Sequence, residues 1–193
     1  MIPVTERIRH SLVSLPMARA LGTLDQTLSR LEQGEFSAIE AIDTLLAEEL
    51  SLREGRRIGV ALRTARLMPI KTLESFDFSF QTSLDRNRIM ALADLEFIKR
   101  AEVLHVLGPP GTGKSHLATA IGVAAVMASR SVYRCSLAEL IEALTKAERE
   151  GRLAEKIRFH ARASLLIVDG IGYLPITSGG ANRFFQLVNA RYE

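Results

Sequence analysis

The chain has 193 residues, 47% of them hydrophobic and 24% charged, with a formal net charge of +3; this excludes a disordered chain and suits one ordinary domain plus a smaller one. Its single cysteine, Cys135, excludes an internal disulfide and any CxxC metal or redox site, and reads as a small buried strand residue. No run approaches membrane-spanning length, and Glu6, Arg7, Arg9 and His10 leave no room for a signal-peptide core, so the expected setting is cytoplasmic with no membrane contact.

Residues 1–68 show helical spacing throughout and no strand pattern, which reads as an all-helical N-terminal domain. Ser37 followed by Glu40 makes a capping box that opens a long helix, with Ile39, Ile42, Leu45, Leu46 and Leu50 expected on one face. Gly55 and Gly59 weaken that helix, and Pro69 bars a regular continuation beyond Met68. Residues 69–80 read as a linker in which Phe76, Phe78 and Phe80 alternate, as in an extended strap with one apolar side. Its rings either close over an adenine or dock the linker on the core.

Residues 81–193 alternate helix and strand, and the fold class is α/β, a partial P-loop sheet domain. An amphipathic helix over 84–100, with Ile89, Leu92, Leu95 and Phe97 inward, leads into an apolar strand, Val103 to Leu107. Residues 116–128 form a helix packed on the sheet, and 131–135 a second strand. Ser136 with Glu139 makes another capping box, and 146–162 reads as a solvated surface with i,i+4 charge pairs. Leu165 to Val168 is a strand covered on both faces, ending in Asp169. Gly172 and Pro175 mark a turn, Gly179 and Gly180 a loop, and 181–191 a last helix.

The chemistry concentrates where the Val103 strand ends. Gly108, Pro109, Pro110, Gly111, Thr112, Gly113, Lys114 and Ser115 spell GxxxxGK[ST], and with His116 they lead into a helix. A glycine-rich turn between strand and helix aims several backbone N–H groups at one point, which suits a polyphosphate. Lys114 supplies a mobile ammonium for the terminal phosphates, and the Ser115 hydroxyl can ligate Mg²⁺. Asp169, at the carboxyl end of its strand, is the expected acid on the Mg²⁺ side, so ATP with Mg²⁺ is the expected cofactor pair. Separately, between Arg53 and Lys71 there are six basic residues, Arg53, Arg56, Arg57, Arg63, Arg66 and Lys71, against the single acid Glu54, a local net of +5. This is a candidate stripe for DNA phosphates with no sequence-reading motif; the alternative is a solvated basic surface.

The segments FDFSF, SLDRNRI, GPPGTGKSHLATAIG, YRCSLAELIEAL, EREGRLAEKIR, LLIVD, GYLP and FFQLVNARYE, in that order, resemble the IstB-like helper ATPases encoded beside insertion-sequence transposases. Those are similar to DnaC-type helicase loaders and DnaA-type initiators of the AAA+ class. The resemblance covers nearly the whole chain. It implies an ATP-dependent protein that binds double-stranded DNA nonspecifically, assembles on it as a homo-oligomer and recruits or activates a transposase. By position it carries Lys114 and Ser115 over as phosphate and Mg²⁺ contacts, and Asp169 as the Mg²⁺-side acid.

Two departures bear on activity. Gly170 stands where the resemblance implies a water-activating Glu, and a positioned general base is worth roughly 10² to 10⁴-fold, so hydrolysis is expected to be impaired while binding survives. The chain also stops at Glu193, before the sensor strand and the inter-subunit arginine that the resemblance implies. A missing fourth strand would leave a gap of about 10 Å between Val103–Leu107 and Leu165–Asp169. A marginal fold, or direct pairing of those two strands, is then expected. The alternatives are a truncated inactive copy or interfering fragment and, more remotely, another P-loop phosphotransferase, which would need an acceptor-binding lid.

Overall fold

A computed structural model describes residues 2–171 and 178–192. The chain divides into two compact units, residues 1–59 and 60–193. Among the described residues no helix is long and apolar enough to cross a membrane.

The first unit is built from α1 (Val4–Ser14), α2 (Ala18–Glu32) and most of α3 (Ala38–Thr64). Ser37 and Glu40 make the expected reciprocal cap at the start of α3, with the Glu40 amide donating to the Ser37 hydroxyl and the Ser37 amide to the Glu40 carboxylate. Leu12, Ala20 and Leu24 form the core of this unit, with Leu45 packed against it. The expected inward face of α3 is corrected by one step around the helix. Ala41, Leu45 and Glu49 face in, whereas Ile39, Ile42, Leu46 and Leu50 are exposed. The cause is polar: α2 starts without a capping side chain of its own, and buried Glu49 accepts from the Arg19 amide at 3.0 Å. Arg53 closes the arrangement, donating to Glu49 at 2.9 Å and to the Leu15 and Pro16 carbonyls. Gly55 and Gly59 lie within α3 without interrupting it.

The second unit begins in the last turns of α3, which ends before Arg66 in a left-handed conformation (φ 59°). Next come α4 (Arg86–Met90), a 3₁₀ turn (Ala91–Asp94), α5 (Glu96–Lys99), α6 (Lys114–Met127), β1 (Val132–Ser136), α7 (Leu137–Arg149), α8 (Leu153–Ala161), β2 (Leu165–Asp169) and α9 (Ser178–Tyr192). The single helix expected over 84–100 is thus broken, with Leu95 left-handed at φ 57°. Leu95 and Phe97 are both buried, and residues two apart on one helix point to nearly opposite sides, so burying both requires the break. Gly179 and Gly180, expected in a loop, lie in α9. A Cβ on Gly179 would sit 3.0 Å from the Arg183 guanidinium, which pairs with Glu148 of α7. The turn expected at Gly172 and Pro175 lies outside the described residues.

β1 and β2 pair in parallel with Val132 opposite Leu165 and Ser136 opposite Asp169. Side chains alternate across a strand, and the two faces have different partners. Val132 and Leu165 pack toward the α6 cluster, which also holds Leu73, Phe76, Phe97, Leu117 and Ile121. Tyr133, Cys135, Leu166 and Val168 pack instead toward Leu140, Leu144 and Leu187 of α7 and α9. Cys135 is buried as expected, and burial pushes its thiol up to about 11, so it is not a nucleophile at neutral pH. Gly122 brings α6 close to the sheet, because a Cβ there would lie 2.8 Å from Ile167 and 2.9 Å from Leu67.

The expected strand at Val103–Leu107 does not form. Residues 102–108 join no ladder among the described residues, and Val103, Leu104 and Leu107 are exposed. The direct pairing with Leu165–Asp169 that would have closed a gap is likewise not made; among the described residues β2 pairs with β1 alone. The region expected to be a solvated charged surface also holds a buried group. His160 in α8 is 2% exposed, stands edge-on to Tyr133 and Phe159, and among the described residues has no hydrogen-bond partner on either ring nitrogen. Arg191 of α9 donates to the carbonyls of His160, Ala161 and Ala163, which satisfies the end of α8.

Candidate functional site

Strand parity determines which groups meet at the C-terminal edge of the sheet. Leu165 and Ile167 face α6, so Asp169 does too, and α6 begins at Lys114 and Ser115. The Ser115 hydroxyl lies close enough to help hold the Asp169 carboxyl below its ordinary value. The loop and the acid expected to work together are therefore neighbours. Gly113 precedes α6 in a left-handed conformation (φ 84°), and no side chain caps the helix, leaving its first amides directed at the loop.

The loop is held by its own atoms. The Pro109 carbonyl accepts from the Lys114 ammonium at 2.6 Å and from the Thr112 hydroxyl at 2.9 Å. Phe76 lies over Gly113, where a Cβ would approach its ring to 2.6 Å. Of the two roles open to the strap's rings, core docking is made by Phe76, which is buried, while Phe80 is exposed. His116 turns away from the loop, its Nε2 lying 3.1 Å from the Thr72 carbonyl and 3.3 Å from the Ser75 hydroxyl. That contact pins the strap to the start of α6, a role the sequence pattern alone did not suggest.

Among the described residues Asp169 accepts two hydrogen bonds, from Arg134 of β1 to its Oδ2 at 2.8 Å and from the Gly170 amide to Oδ1 at 2.9 Å, with the Ser115 hydroxyl nearby. Burial pushes the carboxyl up, but the Arg134 guanidinium, the Ser115 hydroxyl and the Gly170 amide outweigh it and hold the group below the ordinary aspartate value. Gly170 has φ 78°, and a Cβ there would meet nothing within 4 Å. Beside it lies a cavity of about 360 Å³ lined by Arg66, Arg134, Cys135, Ser136, Glu139, Asp169 and Gly170. Arg134 was missed from sequence; its signal is parity, since it lies two residues before Ser136, the register partner of Asp169.

Ser115 and Asp169 are hard oxygen donors, and no group of three or more metal-ligating side chains occurs among the described residues. That set fits Mg²⁺, which dehydrates reluctantly and takes one or two protein oxygens beside phosphates and water. The basic stretch is partly committed elsewhere. In the first unit Arg53 pairs with Glu49 and Arg57 with Glu54. In the second, Arg66 pairs with Glu139 and lies near the Tyr133 ring. Arg56, Arg63 and Lys71 enter no ion pair among the described residues, and Arg56 and Arg63 are exposed.

A glycine-rich loop opening a helix, with its serine beside an acid at the end of a parallel strand, defines the class of P-loop nucleotide-binding domains. Within that class, the family model described as IstB-like ATP binding protein matches residues 11–193, and the chain belongs to that family. It is 42% identical over 170 residues to the insertion sequence IS21 putative ATP-binding protein of Pseudomonas aeruginosa, covering 88% of this chain and 64% of that relative. It is 37% identical to the insertion sequence IS232 putative ATP-binding protein of Bacillus thuringiensis subsp. berliner (82% and 64% covered). The identity is also 37% to the IS5376 counterpart of Geobacillus stearothermophilus (82% and 63% covered). The chain thus spans somewhat less than two thirds of the length of these relatives.

Proposed function

We propose that this chain binds ATP with Mg²⁺ and serves an insertion sequence as a DNA-binding accessory of its transposase, with ATP hydrolysis impaired. The observation that carries the reading is the convergence of the glycine-rich loop, which opens α6 at Lys114 and Ser115, with Asp169 at the end of β2. The amides at the start of α6 and the Lys114 ammonium receive the phosphates; Lys114 leaves the Pro109 carbonyl to do so. Ser115 and Asp169 would hold Mg²⁺, which when bound neutralises phosphate charge. Gly170 provides no side chain to orient or deprotonate a water, so turnover stays low while binding is retained.

DNA contact rests on the charge of the 53–71 stretch, with Arg56 in the first unit and Arg63 and Lys71 in the second available for phosphates. Binding is nonspecific and falls steeply as salt rises from low to moderate concentration; affinity independent of salt overturns that part. The names of the relatives support the insertion-sequence role; a transposase partner, a cytoplasmic setting and assembly as a homo-oligomer on DNA are part of the same proposal, carried by the family resemblance.

The decisive experiment is a Mg-ATP titration of monodisperse protein. Saturable binding, weakened roughly 10- to 100-fold in Lys114→Ala by loss of a charge-assisted contact, supports the reading. Absence of saturable binding selects a second reading, a chain without independent activity that interferes with longer relatives. That reading is favoured by the exposed aliphatics of Val103–Leu107, which sit beside the loop without a ladder.

A further inference from the structure

We infer that Arg134 is a resident cation for Asp169, competing with the metal that accompanies the nucleotide and so setting how much Mg²⁺ the site requires. The inference rests on the nucleotide reading above and assigns a determinant of its metal dependence. Arg134 and Asp169 lie on the α6 face of adjacent parallel strands, diagonal to one another across the register, and meet at 2.8 Å. The Arg134 side chain is 26% exposed; among the described residues its buried Nε has no hydrogen-bond partner, and its guanidinium donates to Asp169.

An arginine cannot relieve the crowding of a second cation by losing its proton. It must either share the carboxylate, at a Coulombic cost, or move. The structure provides the space to move. The 360 Å³ cavity beside Asp169 is lined by Arg134 itself and by Glu139, whose other cation, Arg66, is half exposed and 3.3 Å away. Glu139 already feels the Arg134 charge and offers a second berth. In the absence of metal, Arg134 keeps Asp169 neutralised, so the phosphates meet a site without an unscreened negative charge.

The test is the affinity of a fluorescent ATP analogue measured across Mg²⁺ concentrations in wild type, Arg134→Met and Arg134→Lys. The Mg²⁺ concentration for half-maximal effect is expected to fall about tenfold in Arg134→Met, the scale of one unit charge removed a few ångströms from a partly solvated cation. Arg134→Lys, which keeps the charge, is expected to stay near wild type, an outcome that simple loss of packing would not give. In the wild-type protein, the Arg134 guanidinium NMR signals are expected to shift when Mg²⁺ is added with nucleotide and not with nucleotide alone. Equal Mg²⁺ requirements in wild type and Arg134→Met, or Arg134 signals indifferent to Mg²⁺, overturn the inference while leaving nucleotide binding standing. Failure of wild type to bind the analogue at any Mg²⁺ concentration overturns both.

Discussion

Two aliphatic runs flank the phosphate loop, Val103–Leu107 before it and Leu165–Asp169 after it, and they end differently. Leu165–Asp169 is strand β2, laddered to β1, with α6 on one face and α7 and α9 on the other. Val103–Leu107 is of similar composition, yet it joins no ladder among the described residues and exposes Leu107 to 88%. β-branched and aliphatic residues make a segment eligible for a sheet, but neighbours on both sides decide whether it enters one. The C-terminal edge of the sheet is therefore organised from the β1–β2 side, where Asp169 is fixed, and the loop comes beside it at Ser115.

The sharpest way to break the comparison is to make equivalent truncations in the two runs. Ile167→Ala, in the buried centre of β2, is expected to cost about 2–5 kcal/mol through lost burial and a residual cavity, read from urea or thermal unfolding. A cost near zero would mean that β2 is no better anchored than its counterpart. Next in size is the pH response of the β2 side. His160 packs against Tyr133 of β1, and burial, aided by Lys156, pulls its imidazole down from 6.5 to about 4.

The unfolded chain binds this proton below pH 6.5, whereas the folded chain does so only below about 4. The contribution is therefore fully present above pH 6.5 and is lost as pH falls toward 4, by about 2–3 kcal/mol in total. Unfolding measured against pH should show that slope in wild type and lose it in His160→Phe. An unchanged slope assigns the acid sensitivity to other groups.

Gly170→Glu acts at the end of β2. Its φ of 78° costs a non-glycine residue about 1–2 kcal/mol, while the space around it admits a side chain. ATP turnover is expected to rise at least about a hundredfold, the lower end of what a positioned base supplies. Turnover left at background shows that the missing base is not the only deficit. The smallest effect belongs to Leu107→Ser, expected to change stability by less than about 0.5 kcal/mol because the residue, 88% exposed, is already in water. A cost like that of Ile167→Ala would show that the run is packed in solution.

Much of this arrangement was legible in local chemistry. The boxes Ser37/Glu40 and Ser136/Glu139 marked helix starts because both partners lie within one turn, and the aliphatic run ending in Asp169 marked β2. The loop and Asp169 were found as separate motifs, and parity on β2 explains their meeting. Features that depend on distant partners were not legible. The facing of α3 follows Glu49, whose amide partner lies thirty residues earlier. His160 sits in a segment rich in charge, and only the return of α9, with Arg191 on its carbonyl, accounts for its environment. Arg134 carries no local signal of its own, and the register sets it beside Asp169. Val103–Leu107 had the right composition and lacked the partner that composition cannot supply.

Gly122 has a consequence for how this protein can vary. Leu67, Ile167 and the helix carrying Gly122 converge on a space smaller than a methyl group, although they are far apart in the chain. A single replacement there is blocked by both neighbours at once. In a randomised library, survivors with a larger residue at position 122 should arrive with compensating changes at 67 and 167, so the three positions should be inherited as a set.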